Sequence, residues 1–255
     1  MLRIIHADLY RLTRTKSVYI IVSLFIALFI FSTLTETVGT IGITNENVNE
    51  AKQGVEWDFT TAMQYFTITA CLLIYCFIVY YIHIFSTEFS NRTYKNILMT
   101  GTSRSTFMLS KLTMLFLAIF TTTMAIYMTI ATICYIYYGK PENLPDGFLL
   151  NSLQFILGLS LCIMVYYIVA SFLQILFNNV IPAIIFIVLA PIVVQVLQVI
   201  QGWHWLKYVD YLSLTQAFGL NALNRAELFH YIYVNGCIVI IAILLSIMLL
   251  KRKEF

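Results

Sequence analysis

The chain has 255 residues, of which 60% are hydrophobic and 11% charged, with 15 Lys+Arg against 12 Asp+Glu. A water-soluble domain carries about a quarter charged residues, so this composition excludes one and implies a membrane protein. The net charge of +3, with no basic patch interleaved with aromatics in a water-facing segment, argues against nucleic acid as a partner.

At the N-terminus, Leu2, Ile5, Leu9 and Leu12 recur at helical spacing and line one face, while Arg3, His6, Arg11 and Arg14 project elsewhere. A short helix of this kind lies in the headgroup layer, its basic groups against anionic lipid. Residues 1–16 are therefore expected to form an interfacial elbow helix. The apolar run that follows is longer than the core of a signal peptide and has no A-x-A-like site after it. An uncleaved first span is expected.

Charged residues then divide the chain into uncharged runs. There are 19 residues between Lys16 and Glu36, 29 between Asp58 and Glu88, and 28 between Lys111 and Lys140. A further 60 run from Gly147 to Leu206, and 23 from Leu228 to Leu250. One crossing takes about 20 residues of helix, so the longest run suits two, broken at "FNNVIP" (Phe177–Pro182), whose amides and proline favour a turn. The expectation is an all-α integral membrane protein with six transmembrane helices near 17–36, 63–86, 112–138, 149–177, 180–201 and 228–250. The rest is one transmembrane domain's loops, without a soluble domain.

With both termini inside, the inner segments hold 11 basic residues against Asp8, Glu88 and Glu254, and the outer ones four against nine. The positive-inside rule thus places both termini in the cytoplasm. It also places there the charged segment 87–110, between spans two and three. On a helical wheel Phe89, Tyr94, Ile97 and Leu98 share one half, and Asn91, Arg92, Lys95 and Asn96 the other. Gly101 can end that helix and Thr102 or Ser103 can cap the next. A plain connector needs only two to eight residues, so a docking surface is expected here.

These residues resemble a family. Glu88, the run "RTYKNILMTGTSR" ending at Arg104, and "FMLSKL" with Lys111 are similar to the first intracellular loop of type-2 ABC exporter permeases. The elbow helix, the six spans, the basic tail "KRKEF" and the segment "GWHWLKYVDYLSLTQAFGLNALNRAEL" at 202–227 and just beyond resemble the same family. That outer segment is similar to its re-entrant region. The resemblance implies a coupling helix that fits a groove on a cytoplasmic ATPase, with Glu88, Arg92, Tyr94, Lys95, Ile97, Leu98 and Arg104 as its contact residues. It further implies two permease copies, as a homodimer or with a close relative, and two ABC ATPases that carry the ATP and Mg. Bacteriocin-immunity and peptide-toxin exporters, those of phenol-soluble modulins included, are the kind implied, in a bacterial plasma membrane. Other cargoes of the family (drug, sodium, polysaccharide) remain open, as does a channel or scaffold without an ATPase.

Other chemistry leaves no trace in the sequence. It has no GxxxxGK[ST], HExxH or GxSxG motif, so no enzyme, cofactor or metal site is expected on the chain itself. The five cysteines lie in apolar runs without CxxC spacing. His83 reads as a hydrogen-bonded structural residue. No charge is expected in the middle of a span, which disfavours ion-coupled transport and suits an amphipathic cargo. Pro182, Pro191, Gln195 and Gln198 on span five, with Gln201 beyond, are candidates for a translocation path or for an inter-helix amide row. Trp203, Trp205, Tyr208 and Tyr211 read as an outer aromatic belt.

Overall fold

The computed structural model describes residues 2–40, 57–90, 93, 94, 99, 101–139, 148–202, 204–223 and 225–252. Among them the regular structure is helical. Helix α1 (Leu2–Arg14) is joined to α2 (Lys16–Leu34) through Thr15 alone, whose extended backbone breaks the path of the chain. The other long helices are α3 (Phe59–Phe89), α4 (Arg104–Tyr138), α5 (Phe148–Phe177), α6 (Ile181–Gln201) and, after a short α7 (Tyr211–Gly219), α8 (Arg225–Arg252). Six of these, α2 to α6 and α8, are long and apolar enough to cross a membrane.

Local chemistry sets several boundaries. Asp58 accepts the Thr61 N–H at 2.7 Å and starts α3, and Ser103 does the same for α4 through Thr106. Gly101, at φ 86°, separates that cap from the segment before it. Helix α4 begins at Arg104, directly after the Ser103 cap, and runs on through the expected third span. The α5–α6 turn falls at residues 178–180, with Asn178 at φ 53°.

Helix α5 is the centre of the bundle and packs against α8, α6 and α4. Its most apolar window is 72% buried, against 17% for α2 and 11% for α8, which present most of their surface outward. Helix α3 is also largely buried but is not a regular α-helix. It narrows to a 3₁₀ turn at Ala70–Leu72 and widens to a π-turn at Ile82–Ser86. Inside a membrane each carbonyl left out of the α ladder needs another donor. Tyr211 gives its hydroxyl to the Cys71 carbonyl at 2.5 Å, and Tyr167 gives its own to Ile74 at 2.6 Å.

The segment beyond α6 departs from an aromatic belt. Tyr211 is fully buried and Tyr208 packs edge-on against Tyr231, while Trp205 is 61% exposed; Trp203 lies outside the described residues. The partners of Tyr208 and Tyr211 are carbonyls and rings of the bundle, so they serve the core. Helix α7 lies hard against the start of α3. A Cβ on Gly219 would sit 2.4 Å from Ile68 and 2.9 Å from the Gln64 carbonyl, so only glycine permits that approach.

Candidate functional site

Three of the elements meet at the end of the bundle where α1 lies. Asp8 and Arg11, three residues apart, share a face of α1. Glu88 ends α3, and Lys111 sits two turns into α4. The Lys111 ammonium, 1% exposed, donates to Asp8 Oδ1 at 2.7 Å and to Glu88 Oε1 at 2.6 Å. Arg11 donates to the same Glu88 oxygen at 3.0 Å and lies 3.5 Å from Asp8. Two cations and two carboxylates thus form a neutral quartet in which Asp8, Glu88 and Lys111 are buried. Burial pushes the Asp8 carboxyl above its ordinary range, against the opposing pull of Lys111.

The quartet is tied to the irregular part of α3. The second Arg11 nitrogen donates to the His83 carbonyl at 2.5 Å, within the π-turn. The His83 ring meets the Ser17 hydroxyl at 2.9 Å on α2, so this histidine is hydrogen-bonded. Just inside the bundle, Gln174 of α5 accepts from Tyr81 at 2.6 Å and donates to the Ser86 carbonyl at 3.3 Å. The elbow helix, α2, α3, α4 and α5 are therefore fastened together around one turn of backbone.

A column of rings leaves this joint. Tyr81, Phe85, Phe89 and Tyr94 stack in succession, with centroids 5.7, 4.6 and 4.8 Å apart and interplanar angles of 17°, 19° and 19°. Tyr94 is buried at the far end. Glu88 and Tyr94 are thus both part of the joint. Arg104 is half-buried in the first turn of α4. Arg92, Lys95, Ile97 and Leu98 lie outside the described residues.

On the elbow, Ile5 packs against the core and Leu12 is buried, but Leu9 is 49% exposed; of Leu2 only its place in α1 is described. In α6, Pro182 opens the helix and Pro191 is buried inside it. Gln195 is buried, and Gln198 is partly so, its side-chain oxygen having no hydrogen-bond partner among the described residues. None of the four lines the cavity of about 110 Å³ at the opposite end of the bundle, which is bounded by α3, α4, α5 and α7 through residues including Gln64, Tyr127, Asn151 and Phe218.

A family model described as ABC-2 family transporter protein matches residues 4–200. The chain belongs to the ABC-2 transporter family. It is a membrane permease of an ABC transporter, a transport subunit of a family that pairs with an ATPase subunit. No curated protein matches the sequence significantly. The matched range takes in all four quartet residues. Lys111 stands in the coupling pattern without a contact assigned to it, and Asp8 and Arg11 are not among the residues that the pattern picks out. The signal available for them was charge balance: Asp8 is the sole acid in an otherwise basic elbow, and it lies one turn before Arg11.

Proposed function

We propose that this permease is the membrane half of an ATP-driven exporter of amphipathic peptides. Two copies and two ATPases make the transporter in a bacterial plasma membrane, with both termini and the segment between α3 and α4 in the cytoplasm. The observation that carries the reading is the buried quartet beside that segment. An element that an ATPase pushes must be rigidly joined to the spans it moves. Here the last residues of α3, the first turns of α4 and the elbow are locked by charge, and the ring column extends the lock to Tyr94.

An ATPase that binds the segment differently in its two nucleotide states shifts the bundle equilibrium by that difference in affinity. Arg92, Lys95, Ile97 and Leu98 make the contact, Glu88 and Arg104 frame it, and ATP and Mg stay on the partner. The outward apolar faces of α2 and α6, with Ile20, Leu24, Val193 and Val199 about half exposed or more, supply surface for the second copy. On this reading the cargo route runs past Pro182, Pro191, Gln195 and Gln198 of α6, apart from the far cavity, whose volume of about 110 Å³ is too small for a peptide.

The test is reconstitution of the permease with its ATPase in proteoliposomes. An amphipathic helical peptide should be transported in an ATP-dependent way and stimulate hydrolysis, whereas sodium and a hydrophilic oligosaccharide should do neither. Transport of sodium or sugar without effect of the peptide would overturn the cargo assignment.

A further inference from the structure

Asp210 lies where the 3₁₀ turn His204–Tyr208 gives way to α7, away from the quartet. It is fully buried. Its Oδ1 accepts the Leu212 N–H at 3.0 Å and its Oδ2 accepts the Ser213 hydroxyl, so it caps α7. The backbone on either side is held by the bundle. Tyr166 of α5 gives its hydroxyl to the Val209 carbonyl at 3.2 Å, and Asn235 of α8 gives its amide to the Tyr208 carbonyl at 2.7 Å. Tyr211, the next residue, donates to α3 at Cys71.

What Asp210 lacks is a cation. Buried Asp8 meets Lys111 and Arg11, but the ion pairs among the described residues are those of the quartet, and Asp210 has no part in them. The titratable groups around it are Cys162 and Tyr166 on α5, Tyr231 on α8 and Tyr211 on α7. Cys71 and Tyr75 of α3 lie behind Tyr211, and Tyr208 and Glu227 beside Tyr231. Helix α6 carries no titratable side chain. Thiols and phenols are ordinarily uncharged near neutral pH, and Glu227 adds charge of the same sign. Two hydrogen bonds replace only part of the water lost around a carboxylate, and a buried charge without a partner gives way to its neutral form. Burial pushes the Asp210 carboxyl above its ordinary range, against the bonds from Ser213 and Leu212.

We infer that Asp210 is a proton latch: it is the neutral acid in the closed bundle near neutral pH, and loss of its proton to water loosens the 3₁₀ turn and α7 from α3, α5 and α8. In the neutral acid Oδ1 still accepts from Leu212, and Oδ2 carries the proton and gives it to the Ser213 oxygen. The anion has no counter-ion to turn to, so it draws towards water. That movement pulls on the bonds at Tyr208, Val209 and Tyr211, which fix the segment on three helices. The contribution of Asp210 to the closed form is complete in acid and is lost as pH rises through its folded pKa. The latch stands apart from the cargo and ATPase assignments.

Two measurements on the full chain test this, each against Asp210→Asn, which keeps the cap and cannot ionise. The first is infrared spectroscopy. The wild-type spectrum minus that of the variant should hold a protonated-carboxyl C=O band near neutral pH, which gives way to a carboxylate band on alkaline titration. Asp8 is common to both samples and cancels. A carboxylate band alone near neutral pH overturns the proposal. The second reads the opening through Cys162, which is buried and donates to the Tyr208 carbonyl. Its labelling by a thiol reagent is followed by mass spectrometry, and the ratio to the variant removes the reagent's own pH dependence. Wild type should label about tenfold faster than Asp210→Asn at about pH 9, the effect of one pKa unit, and at the same rate at about pH 6. A ratio that stays constant across this range would leave Asp210 a plain cap and overturn the latch. Should Asp210→Asn fail to fold, Asp210→Ser, which also caps a helix, takes its place in both measurements.

Discussion

Lys111 has a side chain long enough to reach water from the end of a membrane helix, yet its ammonium points inward to two carboxylates. Such an arrangement is worth little as net stabilisation but is costly to break from one side. Lys111→Met should leave Asp8 and Glu88 facing Arg11 alone and cost about 3 kcal/mol in detergent-solubilised stability. Adding Asp8→Asn restores neutrality and should recover a large part of that loss. Additive effects in this double-mutant cycle would contradict a shared network. Asp8 also carries a pH signature. Burial holds its carboxyl above the ordinary carboxylate pKa in the folded chain, so its contribution is greatest below that ordinary value and declines as pH rises through the folded pKa. The thermal midpoint of the wild type relative to Asp8→Asn should therefore fall as pH is raised from about 4 towards 7, and a constant difference would refute the raised pKa. Glu88 and Lys111 are readable from sequence because each borders an uncharged run; that they meet one another, Asp8 and Arg11 is not. Asp8 and Lys111 are 103 positions apart, and no periodicity within an element reports a contact made between elements.

At the scale of elements, the spans are legible because runs of uncharged residues have no other home, and Ser103, one of two expected caps, starts α4, whereas the cap Asp58 gives α3 was not read from the sequence. The irregular turns of α3 are hidden. "ACLLIYCFIVYYIHIFS" reads as continuous apolar helix, and what permits its 3₁₀ and π-turns is donors from elsewhere: Tyr211, Tyr167 and Arg11. The inward role of Tyr211 is invisible for the same reason, since a tyrosine near a membrane surface suits a belt equally well. Gly219 offers a direct test of the α3–α7 contact. Gly219→Val should push α7 off α3 and lower stability by about 2 kcal/mol, read as a shift in thermal unfolding. An unchanged midpoint would show that α7 is free to shift.

For the whole molecule, the charged joint is where the proposed coupling to an ATPase would enter the bundle. The coupling role proposed for Arg92, Lys95, Ile97 and Leu98 rests on an amphipathic pattern and a family resemblance, and a contact with another protein is not something the packing of one chain displays. The same holds for the proposed second permease copy. The most direct measurement is affinity purification of the tagged chain from its native membrane in mild detergent, followed by mass spectrometry. The account predicts a P-loop ATPase in roughly equal amount, lost when Arg92→Glu is combined with Lys95→Glu while the variant stays folded. An ATPase still bound to the charge-reversed variant would contradict the coupling surface, and a folded chain that comes down with no ATPase would contradict the ATP-driven reading itself.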